Sequence, residues 1–192
     1  MNLLAHLYLA DMTGTSMAGQ ILGDRIKGRL DGRFAPDVER GIRLHRAIDG
    51  FTDRHAVTSD LRRRFAPPLR RYGGILVDIG FDYCLARGWA RYSDTALPRF
   101  ADYAALCVAR GWPPDESMPA HRFAGLAQVL AGYRRPDGLQ RALDSVDRRL
   151  QRPSPLPGAL PALLDEYQVM AEAFTTFFPE LCEYANQHVR RQ

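Results

Sequence analysis

The chain has 192 residues, 46% of them hydrophobic and 25% charged, with a net charge of +4 and a sequence pI of about 9.2. That length and apolar content suit one large domain with its own core and exclude a disordered chain or a stapled miniprotein. No apolar run approaches the roughly 18 residues that would span a bilayer, and three distant cysteines (Cys84, Cys107, Cys182) exclude a disulfide framework or a CxxC metal site.

Helical periodicity runs through the whole chain, so the expected fold class is all-α, a single helical domain over 1–192. The first helix is expected near 2–12. It is apolar, but it lacks a basic leader and is interrupted by His6 and Asp11, so it does not read as a signal peptide. Together with the reduced cysteines this predicts a cytoplasmic protein with no membrane partner. Further helices are expected near 16–29, 36–56, 58–65, 72–91, 95–110, 119–132, 136–150, 159–176 and 179–190. Gly32, Pro67-Pro68, Pro113-Pro114, Pro136 and the Pro153–Gly158 stretch supply the breaks, and Pro36 suits a first helical turn. The Pro-rich stretch reads as a plain helix–helix connection, and Leu160, Leu163, Leu164, Tyr167, Met170, Phe174 and Phe177 as a core stripe.

Nearly all the basic charge is arginine; Lys27 is the only lysine. Arginines cluster at 62–64, 70–71, 134–135 and 148–152. Genome composition and an anionic partner both account for this excess. The clusters form no continuous stripe with interleaved aromatics, which argues against nucleic acid.

The chemistry concentrates in residues 1–90. On the third helix His45, Asp49, Thr52 and Asp53 fall within roughly a quarter of the surface, beside the apolar stripe of Leu44, Ile48 and Phe51. Arg40, Arg43, Arg46 and Arg54 lie round the other side. The polar row therefore faces inward, where a carboxylate is costly unless it is paired or bound to a cation. On the fifth helix Asp78 and Asp82 stand one turn apart on the face of Ile75, Leu85 and Trp89, and two such carboxylates repel unless something positive lies between them. A divalent metal and a set of Asp–Arg ion pairs both meet that need. Histidine with aspartate suits Mn, Fe or Zn, and admits Mg. His6, one turn after Asn2, and Asp24, after Gly23, add two more helix-borne candidates, and helical bundles build metal sites from such inward side chains.

The motifs Asn2-x-Leu4-Ala5-His6-Leu7, Gly23-Asp24, His45-Arg46-x-Ile48-Asp49-x-x-Thr52-Asp53 and Asp78-x-x-x-Asp82 resemble those of the acyl carrier protein phosphodiesterase family. The resemblance runs from residue 1 to about 180, with its specific motifs in the N-terminal half. Tyr83 departs from it, standing where the family often has histidine, and the adjacent His-Asp pair usual among HD-type metal phosphohydrolases is absent.

The resemblance implies a divergent HD-type fold and a metal-dependent phosphodiesterase. Its substrate would be holo-acyl carrier protein, an acidic protein, and its products apo-carrier and 4'-phosphopantetheine. It further implies Mn²⁺ first, with Mg²⁺ second, held by Asp24, His45, Asp49 and Asp78, with Asp82 close behind and His6 as a further or orienting ligand. Asp53 or His55 would move the proton, and Arg46 would contact phosphate. An HD-type nucleotide phosphohydrolase, for instance on guanosine tetraphosphate, is the alternative. The arginines at 62–64 and 70–71 are expected to steer the acidic carrier.

Overall fold

The computed structural model describes residues 2–116 and 125–191. Within them lie ten α-helices and three short 3₁₀ turns, and no strand among the described residues. The helices are α1 (Leu3–Thr13), α2 (Met17–Gly23), α3 (Pro36–Arg54), α4 (Ala56–Arg64), α5 (Gly73–Arg87), α6 (Leu97–Gly111), α7 (Leu126–Gly132), α8 (Pro136–Asp147), α9 (Leu160–Asp165) and α10 (Tyr167–Arg190). The fold is all-α. No helix among the described residues is long and apolar enough to cross a membrane.

Two helices form the centre. α1 buries Leu4, Leu7 and Leu9 completely, and α5 buries Leu76, Val77, Phe81 and Leu85 completely. A helix that is apolar all round has to be enclosed by others. α2, α5 and α10 pack around α1, and α4, α8 and α10 around α5. Most of the remaining helices carry one buried stripe, while the short α2 buries six of its seven residues. α3 is such a helix: it starts on Pro36, has Asp37 and Glu39 in its first turn and Arg54 in its last, in accord with the helix dipole.

Three of the boundaries that differ from expectation bear on the site and the core. α2 stops at Gly23, six residues early, and the chain leaves through Gly28 and Gly32, both with φ near +80°. A helix cannot pass through that conformation, and the loop it creates is held by Arg46 on the carbonyls of Ile26 (2.7 Å) and Gly28 (2.8 Å). At the other end, α10 runs unbroken through Pro179, although a break was expected before it. Proline there removes a hydrogen bond at a cost of about 3 kcal/mol. The burial of Phe174, Phe177, Phe178 and Leu181 on both sides of it offsets that loss, and the break falls at Glu166 instead. The third difference is the α3–α4 junction, which falls at His55, the last residue cap of one helix and the first cap of the next. The helix expected at 119–132 begins outside the described residues.

Leu156, in the Pro-rich connection, is fully buried in the main core. Cys84, Cys107 and Cys182 are free thiols, and burial pushes the first up to about 12.

Candidate active site

The site exists because α2 and α3 approach closely. A Cβ on Gly19 would overlap the Val38 carbonyl and lie 2.8 Å from the Gly41 Cα, so the two helices touch backbone to backbone. A Cβ on Gly23 would overlap the ring of His45. These glycines let α3 bring His45 beneath the end of α2, next to Asp24, while α1 delivers His6 from behind.

His6, His45 and Asp49 form one cluster whose candidate ligand atoms all lie within 4.8 Å of one another. Both histidines are buried and their rings stack at 4.2 Å. His6 Nε2 is 3.1 Å from one Asp49 oxygen and His45 Nε2 is 3.0 Å from the other. His45 Nε2 also lies 3.4 Å from Asp24, which is 65% exposed at the mouth of the site. Around them a pocket of about 280 Å³ is lined by Gly23, Asp24, Lys27, His45, Arg46 and Asp49.

The electrostatics divide the cluster. Burial lowers His6, and the neighbouring His45 charge adds to this, so His6 stays neutral. Burial also acts to lower His45, but hydrogen bonds to Asp24 and Asp49 outweigh it and raise the ring to about 9. Asp49 is held well below the usual carboxylate range, since its bonds to His45 and His6 overcome its burial. The hydrogen bond to His45 lowers Asp24 too.

His6 Nδ1 is 2.9 Å from Gln20 Oε1, which can only accept. A neutral ring has one proton for two acceptors, Gln20 Oε1 and the Asp49 oxygen. With that proton on Nδ1 the Nε2 lone pair would face the carboxylate, an arrangement that a cation between the two atoms would satisfy. A metal-bound histidine whose other nitrogen is fixed by a carbonyl has this same pattern. His45 Nδ1 is buried with no hydrogen-bond partner among the described residues. The donor set, two imidazoles and a carboxylate with a second carboxylate at hand, fits a divalent cation.

The other expected site residues lie elsewhere. Asp82 is completely buried, and its two oxygens accept the backbone N–H groups of Leu4 (2.8 Å) and Ala5 (3.0 Å). It anchors the first turn of α1, whose N–H groups have no partner within the helix. Asp82, expected as a ligand, stands outside the 4.8 Å cluster and serves here as a helix anchor. Asp78, half-buried one turn earlier on α5, does not join the 4.8 Å cluster. Asp53 is exposed and pairs with Arg62 at 2.6 Å. His55 accepts from Val57 N–H through Nδ1 (3.3 Å), which leaves its proton on Nε2, 3.0 Å from Glu180. His55 thus ties the α3–α4 corner to α10, and neither His55 nor Asp53 is part of the 4.8 Å cluster. Arg46 lines the pocket while holding the loop.

Three residues at the site were not anticipated. Gln20 contacts His6 Nδ1, Lys27 lines the pocket, and Gly19 permits the helix contact. The spacing of Gly19 and Gly23 was the one available signal, since small residues four apart on a helix mark a close helix crossing.

The arginines at 62–64 are mostly spent internally. Arg62 pairs with Asp53, Arg63 with Asp60, and Arg64 with Glu166. Arg70 bonds the carbonyls of Phe65 and Arg63.

Comparison with known proteins agrees with the motif pattern. No solved structure matches the chain. It is 32% identical over 190 residues to an acyl carrier protein phosphodiesterase from Escherichia coli O6:H1, covering 97% of this chain and 98% of that protein. It is 32% identical over 184 residues to one from Enterobacter sp. strain 638, covering 94% and 95%. A third, from Klebsiella pneumoniae, is 30% identical over 188 residues, covering 96% and 97%. The profile of the family described as acyl carrier protein phosphodiesterase matches residues 1–181, and the chain belongs to that family.

Proposed function

We propose that this protein hydrolyses the phosphodiester joining 4'-phosphopantetheine to a serine of holo-acyl carrier protein. The products are apo-carrier and free 4'-phosphopantetheine. Water supplies the oxygen that joins phosphorus, the bond from phosphorus to the serine oxygen breaks, and a proton ends on that serine. The observation that carries this reading is the His6–His45–Asp49 cluster beside a pocket that Lys27 and Arg46 also line, in a chain of this family.

His6, His45 and Asp49 would hold a divalent cation, Mn²⁺ first and Mg²⁺ second, with Asp24 beside them. When bound, such an ion lowers the pKa of water and neutralises charge on phosphoryl oxygens. The protein's own contribution is orientation. Gln20 would hold the His6 proton on Nδ1, so that Nε2 offers its lone pair. Gly23 leaves room for the His45 ring. Lys27 and Arg46 place positive charge along the pocket, where a phosphodiester anion would lie. The acidic carrier is the partner, and the net charge of +4 favours its approach.

Mass spectrometry of holo-carrier incubated with the protein and Mn²⁺, with a chelator control, tests the whole reading. The expected result is apo-carrier together with free 4'-phosphopantetheine, and neither when metal is withheld. Intact holo-carrier after prolonged incubation with Mn²⁺ and with Mg²⁺ would overturn it.

A further inference from the structure

Asp24 is a wall shared by two depressions. On one side is the short pocket of Lys27, His45, Arg46 and Asp49. On the other a groove of about 360 Å³ runs between α1, α2, α6, α7 and α8. That volume lies within the range of roughly 300–1,000 Å³ found for small-molecule sites. Its apolar walls come from Ile21, Val108, Val129 and Val146, and Asn2, Ser145 and three arginines, Arg25, Arg141 and Arg149, bring hydrogen-bonding groups to it. Val129 is 44% exposed, so an apolar surface stands open beside the cluster.

We propose that this groove holds the pantetheine arm of the carrier while the phosphodiester lies against Asp24 and the two histidines. The proposal rests on the function proposed above. A phosphodiester has two substituents that leave phosphorus in different directions, and this site offers two depressions that meet at Asp24. The folded carrier is too large for the groove, so it takes the open side, where Lys27 and Arg46 suit its acidic surface. The arm takes the other side. It is a thin, uncharged chain in which a dimethyl carbon and methylenes alternate with two amides, and it ends in a thiol. Apolar walls set among hydrogen-bond donors match that alternation, and the groove is the larger of the two depressions, about 360 against 280 Å³. Asn2 is fixed in place, with its Nδ2 donating to the buried Tyr133 hydroxyl at 2.9 Å, and so presents a pre-set amide to the groove.

The test uses Val129→Trp, which fills the groove from an exposed position, and Ala142→Leu, which narrows its floor. Turnover is measured with Mn²⁺ on holo-carrier and on bis(4-nitrophenyl) phosphate, which has no arm. Binding of free 4'-phosphopantetheine is measured by calorimetry. The expected result for both variants is a loss of at least about tenfold in kcat/KM on holo-carrier and in phosphopantetheine affinity. The small diester should stay within about twofold. Equal losses on both substrates, or unchanged phosphopantetheine binding, would overturn the assignment. So would a dimer of the wild-type protein that Val129→Trp breaks, since the groove would then be covered by a second copy. Wild-type protein that binds phosphopantetheine through this groove but leaves holo-carrier intact would sink the hydrolytic reading and keep the groove.

Discussion

Asp49 on α3 and Asp82 on α5 look alike in the sequence, each one turn after another polar group on an inward face, yet the fold treats them in opposite ways. Asp49 meets two imidazoles and is held well below the usual carboxylate range. Asp82 meets two backbone N–H groups, and its complete burial still pushes it up to about 7. Amide dipoles hold a carboxyl in place, but they supply no net charge to replace lost water. Imidazoles do supply charge, and they can release it as a proton when another cation arrives. The α3 carboxylate therefore belongs to an exchangeable electrostatic site, and the α5 carboxyl to the framework that positions α1.

The largest effect should come from attacking the exchangeable site. Asp49→Ala is expected to lower kcat/KM by more than the roughly 10–100-fold that loss of an outer partner costs a metal site. Bound Mn²⁺ should fall in parallel, while far-UV circular dichroism shows an intact helical fold. Near-normal turnover in Asp49→Ala would break the comparison, because Asp49 would then be framework too.

Asp82→Asn probes the other side. The amide keeps one acceptor and sets an NH₂ group against a backbone donor, which should cost about 1–3 kcal/mol of stability. Turnover per folded molecule should change less than for Asp49→Ala. The pH dependence gives a sharper readout. Asp82 ionises near 3.9 unfolded and at about 7 folded, so the folded state holds its proton more tightly. Its contribution is complete below about pH 4 and is lost as pH rises toward 7, by at most about 4 kcal/mol. Urea titrations of chelator-treated protein at pH 5 and 8 should show that loss in wild type and a smaller one in Asp82→Asn. His45, raised to about 9, adds a further loss above pH 6.5 that both proteins share. Equal slopes would show that burial does not dominate at Asp82.

The contrast between these two aspartates also marks how far the sequence could be read. The all-α class, most helix positions and the inward face of α3 follow from periodicity, because a buried stripe must repeat with the helix. His6, Asp24, His45 and Asp49 could be nominated from motif spacing, and the fold gathers them at one place. Nothing in spacing distinguishes Asp82 from a ligand, since its partners are main-chain N–H groups that every residue possesses. The structural roles of Asp53 and His55 were hidden for a similar reason: their partners, Arg62 and Glu180, come from other helices. Pro179 misled because its local cost is visible in sequence while the aromatic packing that offsets it is tertiary.

Gly23 connects the two regions. Its missing Cβ is filled by the His45 ring, so Gly23→Ala must displace an imidazole or part α2 from α3. Overpacking of this kind costs about 1–3 kcal/mol. The expected outcome is a loss of Mn²⁺ affinity and turnover smaller than that of Asp49→Ala, with restored activity at higher Mn²⁺. Activity that no metal concentration restores would place the glycine's role outside the cluster.

The smallest effect concerns surface charge, where two basic regions can be set against each other. Arg63 already pairs with Asp60, and its neighbours Arg62 and Arg64 pair with Asp53 and Glu166. Lys27 is exposed, lines the pocket and has no ion pair among the described residues. An unpaired cation contributes more to the field met by an acidic partner than one whose charge is locally cancelled. Exposed pairs are worth about 0–1 kcal/mol, so neither Lys27→Glu nor Arg63→Glu should disturb folding. Lys27→Glu should lower kcat/KM for holo-carrier several-fold at low salt, and Arg63→Glu should change it by less than about twofold. Near 0.15 M ionic strength, where the screening length is about 8 Å, part of the Lys27 effect should fade. What persists at higher salt measures direct contact with the phosphodiester rather than steering. If Arg63→Glu proves the more damaging variant at low salt, the carrier docks on the α4 face, and the pocket mouth is not its first point of contact.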